Sequence, residues 1–425
     1  MSDHSHDIQD PCCSDDPHGS PSLRLEQALA QMLAQVRPVD GSETIALREG
    51  LGRILDEDVR SQIDVPAHTN SAMDGYAIRG EDLPADGHCT LRVIGTAWAG
   101  RPFEGMVEPG ECARIMTGAP VPPGADTVVM QEHVVRCDDQ AEVGSGHRPG
   151  QHIRTAGEDI SAGDVALEAG TLLRPAHLGV LASVGATRIR VRRRPRIAFF
   201  STGDELQATG EPLSEGQIYD SNRHSLFGML TRLEVEVVDL GIIPDKRDAI
   251  EEAFATATAD ADAVVTSGGV SVGEADFVTE TLEKIGEVGF WKVAIKPGRP
   301  IAFGRVNGKY FFGLPGNPVS AMATFYQLVQ PVLLRLKGIE NPDPDIYVTA
   351  TCRSRLRKKP GRLEFQRGIL ERNEDGTYSV EKAGFQGAGV LSSMVRANCF
   401  IVLPMEGETV MPGDQVSVQP FGTLV

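Results

Sequence analysis

The run Thr266-Ser267-Gly268-Gly269-Val270-Ser271-Val272-Gly273-Glu274-Ala275-Asp276 closes an apolar stretch, Ala261 to Val265, with a glycine-dense turn and two acids. Backbone so free of side chains can wrap a phosphate with its N–H groups, and Glu274 or Asp276 can hold a divalent cation beside it. A second loop of this kind, Gly313-Leu314-Pro315-Gly316-Asn317-Pro318, follows the strand candidate Lys309 to Phe312 and opens a helical pattern from Val319 to Leu336. Pro318 suits the first helical position, where free N–H groups meet an anion. The loop Ser201-Thr202-Gly203-Asp204-Glu205-Leu206 adds two hydroxyls and two acids. Glu205, Asp245 and Asp276 each follow a strand candidate, and three carboxylates at one sheet edge make an oxygen site suited to Mg²⁺.

Positive charge comes from Trp291-Lys292-Val293-Ala294-Ile295-Lys296-Pro297-Gly298-Arg299-Pro300. If this segment is extended, its period of two puts Lys292 and Lys296 on one side, where they clamp a polyanion. Further along, Arg362, Glu364, Arg367, Ser392 and Ser393 lie near Arg357-Lys358-Lys359, and an arginine can grip a phosphate or a molybdate-like oxyanion with two hydrogen bonds. In the N-terminal half, Asn70-Ser71-Ala72-Met73-Asp74-Gly75-Tyr76-Ala77 and Arg114-Ile115-Met116-Thr117-Gly118-Ala119-Pro120 offer Asp74 and Thr117 in dense polar turns. Neither GxxxxGK[ST] nor a GxGxxG opening a helix after a strand occurs, which argues against kinase, ATPase and dehydrogenase chemistry.

These groups need a scaffold. Strand candidates Ile197 to Phe200, Val235 to Leu240, Ala261 to Val265 and Lys309 to Phe312 alternate with helical patterns near 221–233, 245–258, 275–285 and 319–336. That alternation predicts a largely parallel, covered sheet whose ligands sit at the carboxyl ends of its strands. The full expectation is a multidomain α/β plus β protein. An acidic tail (1–21) precedes an extended helical region made from 22–63 and 153–190, with a small β domain (64–152) inserted between its halves. The central α/β domain (191–338) and a C-terminal β-barrel (345–425) follow. In the first helix Leu25, Ala28, Leu29, Met32, Leu33 and Val36 form one stripe, with Ser22 as its N-cap.

At 425 residues the chain can bury several cores. A formal charge of −18 repels nucleic acid and anionic membrane over most of the surface, so an anionic ligand needs local basic groups. No apolar run reaches the ~18 residues of a membrane span, and the N-terminus lacks a basic region followed by an apolar core. Seven scattered cysteines do not form a disulfide framework, and a cytoplasmic location with free thiols is expected.

Taken together, the five ordered loops at Asn70–Ala77, Arg114–Pro120, Ser201–Leu206, Ser267–Gly273 and Leu314–Pro318 resemble those of the molybdopterin molybdenumtransferase family, MoeA. The resemblance runs from about Leu23 to the C-terminus. It implies an elongated homodimer of four-domain subunits that completes molybdenum cofactor synthesis. Adenylylated molybdopterin binds, AMP is released, and molybdate enters the dithiolene with help from Mg²⁺. By motif, Glu205, Asp245 and Asp276 fall at the phosphates and cation, with Lys292, Lys296 and Arg299 beside the anions. Ser201, Thr202, Gly268, Gly269, Ser271, Pro315, Gly316, Asn317 and Pro318 then shape the pterin-phosphate pocket. Asp74 and Thr117 complete a partner subunit's cleft, and Asp159, Arg362, Arg367 and Ser392 are further transfers. The α/β domain also resembles the adenylyltransferase that activates molybdopterin, a partner or an alternative identity, and non-catalytic scaffolds share the architecture.

Overall fold

The computed structural model describes residues 22–269, 277–340 and 346–423. The tail, Ser271, Glu274 and Asp276 lie outside the described residues. The chain divides into two compact units, residues 1–42 with 192–425, and residues 43–191.

The first unit is built on a six-stranded sheet of β1 (Arg196–Thr202), β2 (Glu236–Ile243), β3 (Ala263–Ser267), β4 (Gly286–Lys292), β5 (Pro300–Val306) and β6 (Lys309–Leu314), in the order β2-β1-β3-β6-β5-β4. The first four in that order run parallel, whereas β5 runs antiparallel to both its neighbours, β6 and β4. Both faces are buried, which is why the central strands read as unbroken apolar runs. On β1, Ile197 and Phe199 enter one core while Ala198 and Phe200 enter the other. The four expected strands are present, and all four end later than the apolar runs, because Thr202, Ile243, Ser267 and Leu314 still pair with neighbours. Ser201 and Thr202 are therefore strand residues, not loop residues.

Helices α1 (Leu25–Gln35), α2 (Ser221–Arg232), α3 (Arg247–Asp260), α4 (Phe277–Ile285), α5 (Pro318–Thr324) and α6 (Gln330–Lys337) cover the sheet, with a π turn at Phe325–Val329 joining the last two. On α1, Ala28 and Met32 are buried in the same core as Leu333 and Leu336 of α6. Ser22 does not cap it. The cap position is Arg24, whose N–H donates to Gln27 Oε1 at 3.1 Å.

A closed five-stranded barrel completes the unit, formed by β7 (Val348–Cys352), β8 (Leu363–Arg372), β9 (Tyr378–Lys382), β10 (Cys399–Leu403) and β11 (Gln415–Pro420). The order is β8-β9-β7-β11-β10, and β10 pairs back onto β8. Inward residues such as Ala350, Val380, Ile401 and Val418 fill it. The two-residue strand Ile295–Lys296 adds parallel to β8, opposite Leu363 and Glu364.

The second unit carries a six-stranded mixed sheet of Thr127–Met130, Gly75–Ile78, Glu111–Ile115, His88–Ala97, Gln140–Gly144 and Val134–Cys137, in that order. Of the helical character expected across 22–63 and 153–190, the described residues hold the α-helices Leu25–Gln35 and Pro175–Ser183 and a single 3-10 turn at Leu47–Glu49. Short strands replace the rest, as in the pairs Val59–Arg60 with Val165–Leu167 and Asn70–Ser71 with Ile153–Arg154. Gly52 and Gly163, at φ 71° and 96°, adopt left-handed backbone that no α-helix passes through. No helix among the described residues is long and apolar enough to cross a membrane.

Candidate functional site

A cavity of about 1360 Å³ opens in the first unit, and all its lining residues belong to that unit. One wall is the carboxyl edge of β1, β3 and β6 with the first turn of α2, and the other is the barrel, from Arg355 to Arg367 and from Lys382 to Gly389. Ligands of open parallel sheets lie at this edge because the strands end there and helix N-termini begin.

Glycine allows the close approaches that shape the sheet wall. At Gly268 (φ +91°) a Cβ would stand 2.7 Å from Thr202 O, and at Gly269 (φ +65°) 2.5 Å from Val278 Cγ2. The turn after β3 thus lies directly on the end of β1. Thr202 Oγ1 lines this corner, buried and without a hydrogen-bond partner among the described residues. Ser201 is buried and contributes nothing to the lining, because alternation along β1 turns its side chain away.

Of the acids expected together, Glu205 and Asp245 do line one cavity. The Glu205 carboxylate folds over Gly203, with Oε2 2.5 Å from where a Cβ would be. Asp204 is engaged elsewhere, since its Oδ1 accepts the Asp245 N–H at 3.1 Å. No group of three or more His, Cys, Asp or Glu gathers around a metal position among the described residues. Two carboxylates nevertheless fit a Mg²⁺ ion, which keeps several waters and is bound through one or two carboxylates and the phosphates of its ligand.

Pro315, Gly316, Asn317 and Pro318 line the cavity as expected, and Pro318 is the first residue of α5. The lysine clamp needs correction. Lys292 ends β4 in the central sheet, whereas Lys296 lies in a separate strand on the barrel, so the two do not share one period-two face. Lys296 lines the cavity and Lys292 does not. Lys296 Nζ stands 3.8 Å from Glu364 Oε2, a carboxylate that is buried and also accepts from Gln366 Nε2 at 3.0 Å. Arg299 lines the cavity from the same turn.

On the barrel wall Arg362 and Arg367 both line the cavity. Lys358 braces the turn before Arg362, its Nζ donating to Lys359 O and Arg362 O, each at 2.7 Å. Arg367 is 1% exposed. Its Nε donates to Ser393 Oγ at 3.1 Å and its Nη2 to Gly387 O at 3.0 Å. Burial pushes its guanidinium down to about 10. The serine at this arginine is Ser393. Ser392, at the start of a short helix, faces solvent and is no part of the lining.

Asp74 and Thr117 belong to the second unit and contribute nothing to this cavity. They are each other's partners, with Asp74 Oδ1 accepting from Thr117 N at 2.7 Å and Thr117 Oγ1 at 2.8 Å. The backbone bond, then the hydroxyl, holds the Asp74 carboxyl below its usual range.

Lys296, Arg299, Arg355, Arg357, Arg362, Arg367 and Lys382 face three carboxylates, Glu205, Asp245 and Glu364, around one cavity. In a chain of net charge −18, that excess of four positive charges (seven against three) gives the cavity a local charge suited to a polyanion. Sequence reasoning missed Arg355, Lys382 and Asn222. The first two carry no signal beyond strand charge. Asn222 follows Asp220, whose side chain caps α2 by accepting the Arg223 N–H at 3.0 Å, and only that cap signal marks its neighbourhood.

Three family models match consecutive parts of the chain: the MoeA N-terminal region (domain I and II) at residues 23–185, a probable molybdopterin binding domain at 198–335, and the MoeA C-terminal region (domain IV) at 349–421. A molybdopterin molybdenumtransferase from Haemophilus influenzae is 46% identical over 404 residues, covering 95% of this chain and all of that protein (100%). One from a Nostoc species is 36% identical, covering 92% of this chain and 91% of its own length. The solved structure of a molybdopterin biosynthesis MoeA protein from Pyrococcus horikoshii superposes with a TM-score of 0.81 at 30% identity, covering 94% of this chain and 100% of that one. The chain belongs to the molybdopterin molybdenumtransferase family, MoeA.

Proposed function

We propose that the chain transfers molybdenum from molybdate into the dithiolene of adenylylated molybdopterin in the cavity at the sheet edge, with water cleaving the phosphoanhydride and AMP departing. The observation that carries this reading is the seven-to-three excess of cations over carboxylates in a strongly acidic chain. Both substrates are anions, and a site that gathers them must offset their mutual repulsion. The turn at Gly268 and Gly269 presents backbone to a phosphate without side-chain obstruction. Arg362 and Arg367 on the barrel wall suit a tetrahedral dianion, which separates the oxyanion from the phosphate-binding turns.

Glu205 and Asp245 are the described residues that would hold Mg²⁺. When bound, that ion would neutralise charge on the phosphoanhydride. Asp204 fixes the backbone of Asp245, and the fold of Glu205 over Gly203 keeps its carboxylate at the sheet edge. The homodimer and cytoplasmic location implied by the resemblance belong to the same proposal.

The test is AMP release from purified adenylylated molybdopterin with Mg²⁺, with and without molybdate, by wild type, Glu205→Gln and Asp245→Asn. Loss of one electrostatic contributor predicts a fall of about 10²-fold or more in the molybdate-dependent rate. A wild type that releases no AMP, or variants that keep the full rate, would overturn the proposal.

A further inference from the structure

Anion binding leaves one stretch of the cavity wall unexplained, Ile218 to Asn222. Ile218 and Tyr219 line the cavity yet are 55% and 44% exposed. They are not loose. Their backbone pairs with Leu206 and Gln207, and the Tyr219 hydroxyl donates to Glu211 O at 2.9 Å. A pinned apolar surface, held open to water in a cavity otherwise rich in cations, does nothing for an oxyanion. It suits the face of a flat ring.

Asn222 adds a polar requirement. Its side chain lines the same cavity, and the residue is 9% exposed. Nδ2 donates to Ser267 Oγ and to Gly316 O, both at 2.7 Å. A carbonyl oxygen only accepts, so the contact with Gly316 fixes which end of the carboxamide is nitrogen. Oδ1 is then a buried acceptor that has no donor among the described residues. Such an atom is costly until a donor meets it, and phosphate or molybdate oxygens offer none.

We propose that residues 218–222 are the recognition edge for an N–H-bearing heteroaromatic ring of the ligand, its face on Ile218 and Tyr219 and one N–H donated to Asn222 Oδ1. Phe385, 65% exposed and lining the cavity from the barrel side, supplies a further apolar surface. The proposal rests on the function above for the identity of the ring, since both the pterin and the adenine of the substrate have this chemistry. Asn222 also ties the end of β3 to the Gly316 loop through its Nδ2.

The experiment is equilibrium binding to the full chain of AMP, ribose 5-phosphate and free pterin, for wild type, Tyr219→Ala and Asn222→Leu. Ribose 5-phosphate carries the anion without a ring. The expected result is that at least one ring-bearing probe binds and weakens about tenfold in each variant, while ribose 5-phosphate binds Tyr219→Ala as it binds wild type. If AMP responds the ring is adenine, and if pterin responds it is pterin. AMP binding no tighter than ribose 5-phosphate together with no pterin binding overturns the proposal, as does an equal loss for ribose 5-phosphate in Tyr219→Ala. Should Asn222→Leu fail to fold, Tyr219→Ala decides alone, because that side chain is exposed. A chain that binds the ring through these residues but releases no AMP keeps this inference and removes the proposed reaction.

Discussion

Replacing Arg367 by methionine separates stability from binding. The guanidinium is 1% exposed, and burial lowers it to about 10. At about 1.4 kcal/mol per decade of proton affinity, holding this charge away from water costs roughly 3 kcal/mol. The bonds to Ser393 Oγ and Gly387 O offset about 1–2 kcal/mol each. These contributions are close to balance, and Arg367→Met, which fills the same space without charge, should leave the urea midpoint near wild type or raise it. Binding should behave oppositely. An oxyanion that pairs with the buried charge recovers much of that penalty, so the dissociation constant for molybdate should rise by about 10²-fold in the variant. Because the folded state holds the proton less tightly than the unfolded state, the penalty is complete at every pH below about 10 and is relieved only above it. The stability difference between the two proteins should thus stay flat from about pH 6 to pH 9, with the wild type gaining only above that window. Urea unfolding with and without molybdate, together with calorimetric titration, measures both quantities. A variant that loses several kcal/mol of stability and still binds molybdate like wild type would refute the argument and make Arg367 a strut.

Gly298→Ala places a Cβ 2.3 Å from Thr324 Oγ1 and 3.0 Å from Ser320 O at φ +94°. Because Lys296 and Arg299 flank it, the substitution should cost about 2–3 kcal/mol in urea unfolding and weaken phosphate binding as well, and an unchanged midpoint would count against the packing described. Asp262→Asn removes a two-pronged contact with Arg193, at 2.7 and 2.8 Å, and the acceptor for the Arg196 N–H at 2.8 Å. Burial works to raise the Asp262 carboxyl, but Arg193 and then the Arg196 amide hold it below its usual range. Its contribution is therefore present above the ordinary aspartate pKa and lost as pH falls through the lower folded value. A deficit of about 1–3 kcal/mol near pH 7 should shrink as the pH falls below the ordinary aspartate range, and a deficit that persists undiminished in acid would contradict this account.

What the sequence made legible was local. Turn chemistry marked Gly268, Gly269 and Pro315 to Pro318 because glycine and proline fix backbone conformation wherever they stand. Buried strands declared themselves as apolar runs such as Ile197 to Phe200. The antiparallel strands β4 and β5 escaped because Gly286, Gly289 and Gly304 break their apolar pattern, and at Gly304 a Cβ would lie 2.1 Å from Glu287 O across the strand pair. With those strands hidden, Lys292 and Lys296 read as one extended segment, and the period-two argument fails at the strand end between them. The same limit hides the cavity's charge. Its cations come from Lys296 to Lys382 along the chain, and composition records only a net −18. They converge because Lys296 stands opposite Glu364 in a two-residue strand that joins the barrel. Glu364 is a poor anion-site residue in isolation, yet buried there, between Lys296 and Gln366, it offsets part of the positive charge gathered around the cavity. A carboxylate in an anion site is thus a condition for packing so many cations together, and it can be recognised only once the strand pairing is known.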